Sequence, residues 1–151
     1  MRKNLILMLV LALGVAIGVL GNRVLAQPAV SPIAPESKGL HSTIKFEQVV
    51  SGHLKDVNGK YKLRIGEVTF DPGGYIAEHQ HQGPGIRVVT AGELTLLQEG
   101  KTTVYKTGDY WLESGDITNS ASNKGTVPVT IMQFELLPPD LKGGSAFVPL
   151  K

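Results

Sequence analysis

Residues 70–92 read FDPGGYIAEHQHQGPGIRVVTAG, and no other stretch says as much about the fold. Asp71-Pro72-Gly73-Gly74 joins a residue that fixes φ to two that tolerate any φ, the chemistry of a tight turn. His79 and His81 stand two apart, so on a strand both imidazoles leave the same face. Glu78 and Gln80 have the opposite parity and face away. Gly83-Pro84-Gly85 breaks any regular strand just after His81, and its small residues leave room for a ligand at the mouth of a barrel.

The texture on both sides of this stretch is the same. Asn58-Gly59 suits a hairpin turn ahead of the run from Tyr61 to Phe70. Within that run Leu63 and Ile65 share one parity and Val68 and Phe70 the other, so a bulge at Gly66 is expected to flip the faces. Glu99-Gly100 separates two further strand-like runs, Thr107-Gly108-Asp109 turns again, and Val127 to Leu137 reads as a last strand closed by Pro138-Pro139. No stretch keeps an apolar helical period for three turns. Short strands at this spacing, with 18 Gly and 9 Pro in 151 residues, predict a single all-β sandwich or barrel. A 42% hydrophobic content excludes a disordered chain, and the absence of Cys excludes disulfides, a thiolate nucleophile and a zinc–thiolate site.

The two ends have a different character. Arg2 and Lys3 precede an apolar run from Leu5 to Leu20, and Val24-Leu25-Ala26 supplies small residues for cleavage. This is the pattern of a signal peptide over 1–26, and a run of 16 is short against the roughly 20 residues of a spanning helix. Cleavage after Ala26 is therefore expected over retention as an anchor, giving an exported, periplasmic or secreted protein with no membrane partner once the segment is removed. Residues 27–40 hold Pro28, Pro32 and Pro35 and read as a flexible linker. The barrel is expected over 41–137, and 138–151 as a C-terminal tail. Beyond Ala26 the chain carries 12 basic and 13 acidic residues, and its Lys and Arg are scattered. A nucleic-acid binder would cluster them, so nucleic acid is not an expected partner.

Gly73, five residues, His79-Gln80-His81 and then Gly92 resemble the first signature of the cupin superfamily. Its second signature, laid from Gly108, ends on Asn123, which matches. The resemblance spans about residues 60–136 and implies a cupin or jelly-roll β-barrel. In cupins that bind metal, two His and a Glu of the first signature and a His of the second hold the ion. In this chain the Glu position falls on Gly85 and the second-signature His position on Asn119. His79 and His81 are the ligands that remain, so the resemblance implies an incomplete metal set and either one divalent ion or none.

Four residues are the candidates for a ligand pocket: His79, His81, Arg87 and Asn119. Arg87 lies two residues after Gly85; a cation there would repel a metal ion and clamp an anion, unless it faces solvent. Glu113 is an extra candidate ligand, with a solvated strand-end carboxylate as the commoner outcome. One of Tyr110 and Trp111 must face inward. Two functions stay open on these residues. One is a barrel that binds a small polar or anionic molecule without a metal. The other is a metal-dependent enzyme of the isomerase, dioxygenase or lyase type, with the ion on His79 and His81. Catalytic residues are not assigned, and the resemblance allows a homodimer.

Overall fold

The computed structural model describes residues 34–143, 146–148 and 150. The expected signal peptide and most of the expected linker lie outside them. Ser31–Lys151 makes one compact unit. Among the described residues nine strands form it: β1 (Ser37–Val49), β2 (Lys62–His81), β3 (Gly85–Ala91), β4 (Glu93–Gln98), β5 (Lys101–Lys106), β6 (Tyr110–Glu113), β7 (Asn119–Ser122), β8 (Val129–Leu137) and β9 (Phe147–Val148). All pairings are antiparallel, in the order β5-β4-β7-β2-β8-β3-β6, with β1 and β9 also on β2. The result is the expected all-β jelly roll, a nearly closed barrel.

The 20-residue β2 is the hinge of this topology. Its first half, through Phe70, pairs with β8, and its second half, from Tyr75, pairs with β7. The expected turn at Asp71–Gly74 is a loop thrown out of one continuous strand: on β1, Leu40 pairs with Phe70 and Lys38 with Tyr75. Gly73 adopts φ +72°, and a Cβ on Gly74 would lie 2.8 Å from the carbonyl oxygens of Asp71 and Gly39. Asn123 holds the excursion. Its side-chain amide donates to the carbonyls of Phe70, Asp71 and Val127, and its Oδ1 accepts from Gly125 N–H. Such a turn lets one strand serve both walls of the barrel.

Three expectations change. The parity of β2 does not flip at Gly66: Lys62, Arg64, Gly66, Val68 and Phe70 all face inward, and Leu63 is exposed. The bulge opposite Gly66 lies on β1, at Lys45, between the Ile44–Gly66 and Phe46–Ile65 pairs. A second bulge at Ala77–Glu78, opposite β7, does flip the face and brings His79 inward after Ile76. The linker is shorter than expected, since Ser37 to Leu40 already belong to β1 and Leu40 packs on the core. The sheet also extends past the expected barrel end at Leu137, because β9 pairs with the end of β2. The core itself gathers Val68, Phe70, Ile76, Val89, Leu94, Leu96, Trp111, Val129 and Ile131. Trp111 is the inward residue of its pair, stacked on Tyr105 with centroids 4.5 Å apart, while Tyr110 points out.

Candidate functional site

The barrel encloses a cavity of about 260 Å³. Its body is apolar, walled by Val68, Phe70, Ile76, Leu94, Trp111 and Ile131 among others. Its polar wall is built by strand register. Gly85 on β3 lies between Glu113 on β6 and Glu135 on β8, and the neighbour of Glu135 on β2 is Arg64. Parity then turns Arg87 to the same face as Gly85, and all four charged side chains are buried. The Ala77–Glu78 bulge adds His79 and His81 from β2, with ring centroids 4.9 Å apart.

Arg87 is the centre of the cluster. Its Nη2 lies 2.9 Å from Glu113 Oε2 and 3.1 Å from Glu135 Oε1, and reaches His81 Nδ1 at 3.4 Å. His81 Nε2 stands 3.1 Å from Glu113 Oε2. That contact is close but misaligned, and both atoms, with Arg87 Nη1, are buried without a hydrogen-bond partner. Trp111 Nε1 donates to the other Glu113 oxygen at 3.0 Å. Burial would raise the Glu113 pKa, but the His81 contact and the Arg87 charge outweigh it and hold the carboxyl at about 2. His79 is set differently. Its Nδ1 bonds the Ala77 carbonyl at 2.8 Å, and burial lowers its pKa to about 4, so it is neutral at pH 7. Arg64 pairs with Glu47 at 2.5 Å and donates to the Gly143 carbonyl.

The candidate residues of the sequence fare unequally. His79, His81 and Arg87 meet on the cavity wall. Asn119 pairs with His79 across β2 and β7 and is buried, but it is not on that wall; its amide donates to the Ile117 carbonyl. Glu113 is inside, not a solvated strand end. Glu135 and Arg64 join the site without having been singled out by any motif. Both are legible from parity, since Glu135 alternates with Val129, Ile131 and Leu137, and Arg64 with Val68 and Phe70. Phe147 is a further addition: from the tail it packs its ring 4.9 Å from His79 and 5.5 Å from His81 and lines the cavity. No sequence signal marks it.

These residues do not fit the metal ion that the signature implies. Among the described residues no group of three or more His, Cys, Asp or Glu side chains is placed to hold one. A guanidinium lies against the carboxylate and the imidazole that would have to turn to the ion, so a dication would meet a fixed positive charge about 3 Å from its ligands.

Comparison with known proteins agrees with the fold. The cupin domain family model matches residues 66–134. No curated protein sequence matches the chain. Among solved structures, a conserved protein with a double-stranded β-helix domain from Klebsiella pneumoniae is 19% identical, covering 77% of this chain and 90% of its own, with a TM-score of 0.52. An RmlC-like cupin from Shewanella frigidimarina is 17% identical, covering 70% and 86%, with a TM-score of 0.52. A salicylate 1,2-dioxygenase from Pseudoaminobacter salicylatoxidans is 16% identical over 64% of this chain and 26% of its own, with a TM-score of 0.50. At these identities the likeness is one of fold.

Proposed function

We propose that this cupin-fold barrel binds a small, mainly apolar molecule with one uncharged polar head, and does so without a resident metal. The observation that carries the reading is a largely apolar cavity of about 260 Å³ whose polar wall buries Arg87 Nη1 without a hydrogen-bond partner, beside His81 Nε2 and Glu113 Oε2, whose close ionic contacts leave no aligned hydrogen bond. Arg87 Nη1 is a donor, Glu113 Oε2 an acceptor and His81 Nε2 either. Buried atoms of this kind cost about 1–3 kcal/mol each when left unpaired, which a ligand head would recover. A hydroxyl or primary amide, which donates and accepts at once, matches the set. The wall also supports an uncharged head over an anion: the charges of Arg64 and Arg87 are already met by Glu47, Glu113 and Glu135. The apolar body disfavours a sugar, whose hydroxyls would lose water without gaining partners.

The test is calorimetric titration of metal-stripped protein with benzyl alcohol, benzamide, benzoate and glucose. The first two are expected to bind with dissociation constants of roughly micromolar to millimolar order, as small ligands allow. Benzoate binding tightest would overturn the uncharged head, and glucose alone binding would overturn the apolar body.

Export is proposed on the sequence of residues 1–26. Cell fractionation with N-terminal sequencing tests it: Gln27 at the N-terminus of an envelope or medium fraction is expected, and an intact N-terminus in the cytoplasm contradicts it.

A further inference from the structure

Five positions lie side by side on one face, one on each of β1, β2, β8, β3 and β6: Glu47 at the exposed rim, then the buried Arg64, Glu135, Gly85 and Glu113. The row reads minus, plus, minus, a gap, minus. Arg87 fills the gap from two residues along β3. A Cβ added to Gly85 would lie 2.1 Å from Arg87 Nη1 and 2.8 Å from the Phe134 carbonyl oxygen, so the guanidinium and the neighbouring backbone together fill the place where a side chain at 85 would project. We infer that Arg87 is a resident cation in the place of a metal ion, and that this guanidinium keeps divalent metals out of the barrel.

The donors are present in kind. His79, His81, Glu113 and Glu135 are all buried. His81 Nε2 and Glu113 Oε2 lie 3.1 Å apart with no hydrogen-bond partner. Two ligands each about 2.1 Å from one ion span such a separation at nearly a right angle. A guanidinium neutralises carboxylates as an ion would, but it has only N–H groups and cannot accept an imidazole lone pair as a metal does. Losing Arg87 would therefore take the central cation from two buried carboxylates and two imidazoles, a set that suits a borderline metal. The inference rests on the metal-free reading of the pocket, but its test is separate, because binding of the apolar probes to wild type bears on that reading alone.

The experiment is titration of purified protein with cobalt(II), read by its visible absorption and by calorimetry. Wild type is expected to show no band and no stoichiometric binding. Arg87→Gln is expected to take up one equivalent at least about 100-fold more tightly, and adding His79→Ala to abolish the band. Arg87→Met, which removes the guanidinium but keeps a long apolar stem, is the second variant and should also gain affinity. One equivalent bound by wild type would overturn the inference, and so would a folded Arg87→Gln that binds no better. Failure of both variants to fold, with no recovery when cobalt is added, also counts against it.

Discussion

Arg87 and His79 show how single side chains set the chemistry of the wall. Replacing Arg87 by Gln strands two buried carboxylates, and a loss of about 3–5 kcal/mol in unfolding free energy is expected, measurable by urea titration. His79 is the pH-sensitive member. Its imidazole takes a proton near 6.5 when unfolded but only near 4 when folded, chiefly because burial penalises the charge. Between those values the unfolded chain binds a proton that the folded chain refuses, so stability present above pH 6.5 is lost as pH falls toward 4. The loss is about 3 kcal/mol, and thermal melts of wild type against His79→Gln should diverge in that window and run parallel above it. Glu113 works lower down. Held at about 2, it contributes stability above its unfolded value of 4.5 and gives it up only as pH falls toward 2. Among these side chains the sequence is partly legible. Spacing alone puts His79 and His81 on one face. Parity also lines Glu135 up with Val129 and Ile131, but it does not show that Glu135 or Glu113 is buried, because a glutamate is seldom buried unless a cation waits for it, and that cation comes from another strand.

Among the elements, β2 carries most of the architecture. It is one strand in the chain but two in the barrel, and the Asp71–Gly74 excursion is where it changes partners. Asn123→Ala would leave the carbonyls of Phe70, Asp71 and Val127 without their shared amide. A loss of about 2–3 kcal/mol is expected on that ground, read from chemical denaturation. Gly74→Ala should cost at least as much, since its Cβ meets two backbone oxygens at 2.8 Å. The turn chemistry and the matching Asn123 are readable from sequence, because glycine, proline and asparagine act locally. The bulges are not. Gly66 invites one, yet it forms at Lys45 on the partner strand, where the inward row of Lys62, Arg64 and Gly66 can remain in register with Val68 and Phe70. That row reads poorly as a core face because its partners, Glu47 for Arg64 and the carbonyls of Leu141 and Gly143, are distant in sequence. The tail is hidden for the same reason, since Phe147 finds its contacts only against the two histidines.

For the whole molecule, the fold is that of the cupins and the departure lies in one corner of it. The barrel keeps the histidine pair and the asparagine of the two signatures, and where the signature glutamate would stand it has Gly85 covered by a guanidinium. The cavity that results is closed to a dication by charge and open to a small molecule by volume. Phe147→Ala probes that cavity as a whole, because it removes part of the wall over His79 and His81. It is expected to weaken benzyl alcohol binding several-fold while leaving the fold intact by circular dichroism. The sharpest check on a metal-free, ligand-binding barrel is calorimetric titration of metal-stripped wild type and Arg87→Gln with benzyl alcohol. Saturable one-to-one binding by wild type, weakened at least about tenfold in Arg87→Gln, is predicted from the loss of a buried, charge-assisted hydrogen bond. No binding by metal-stripped wild type, with binding appearing only when a divalent metal is restored, would contradict it.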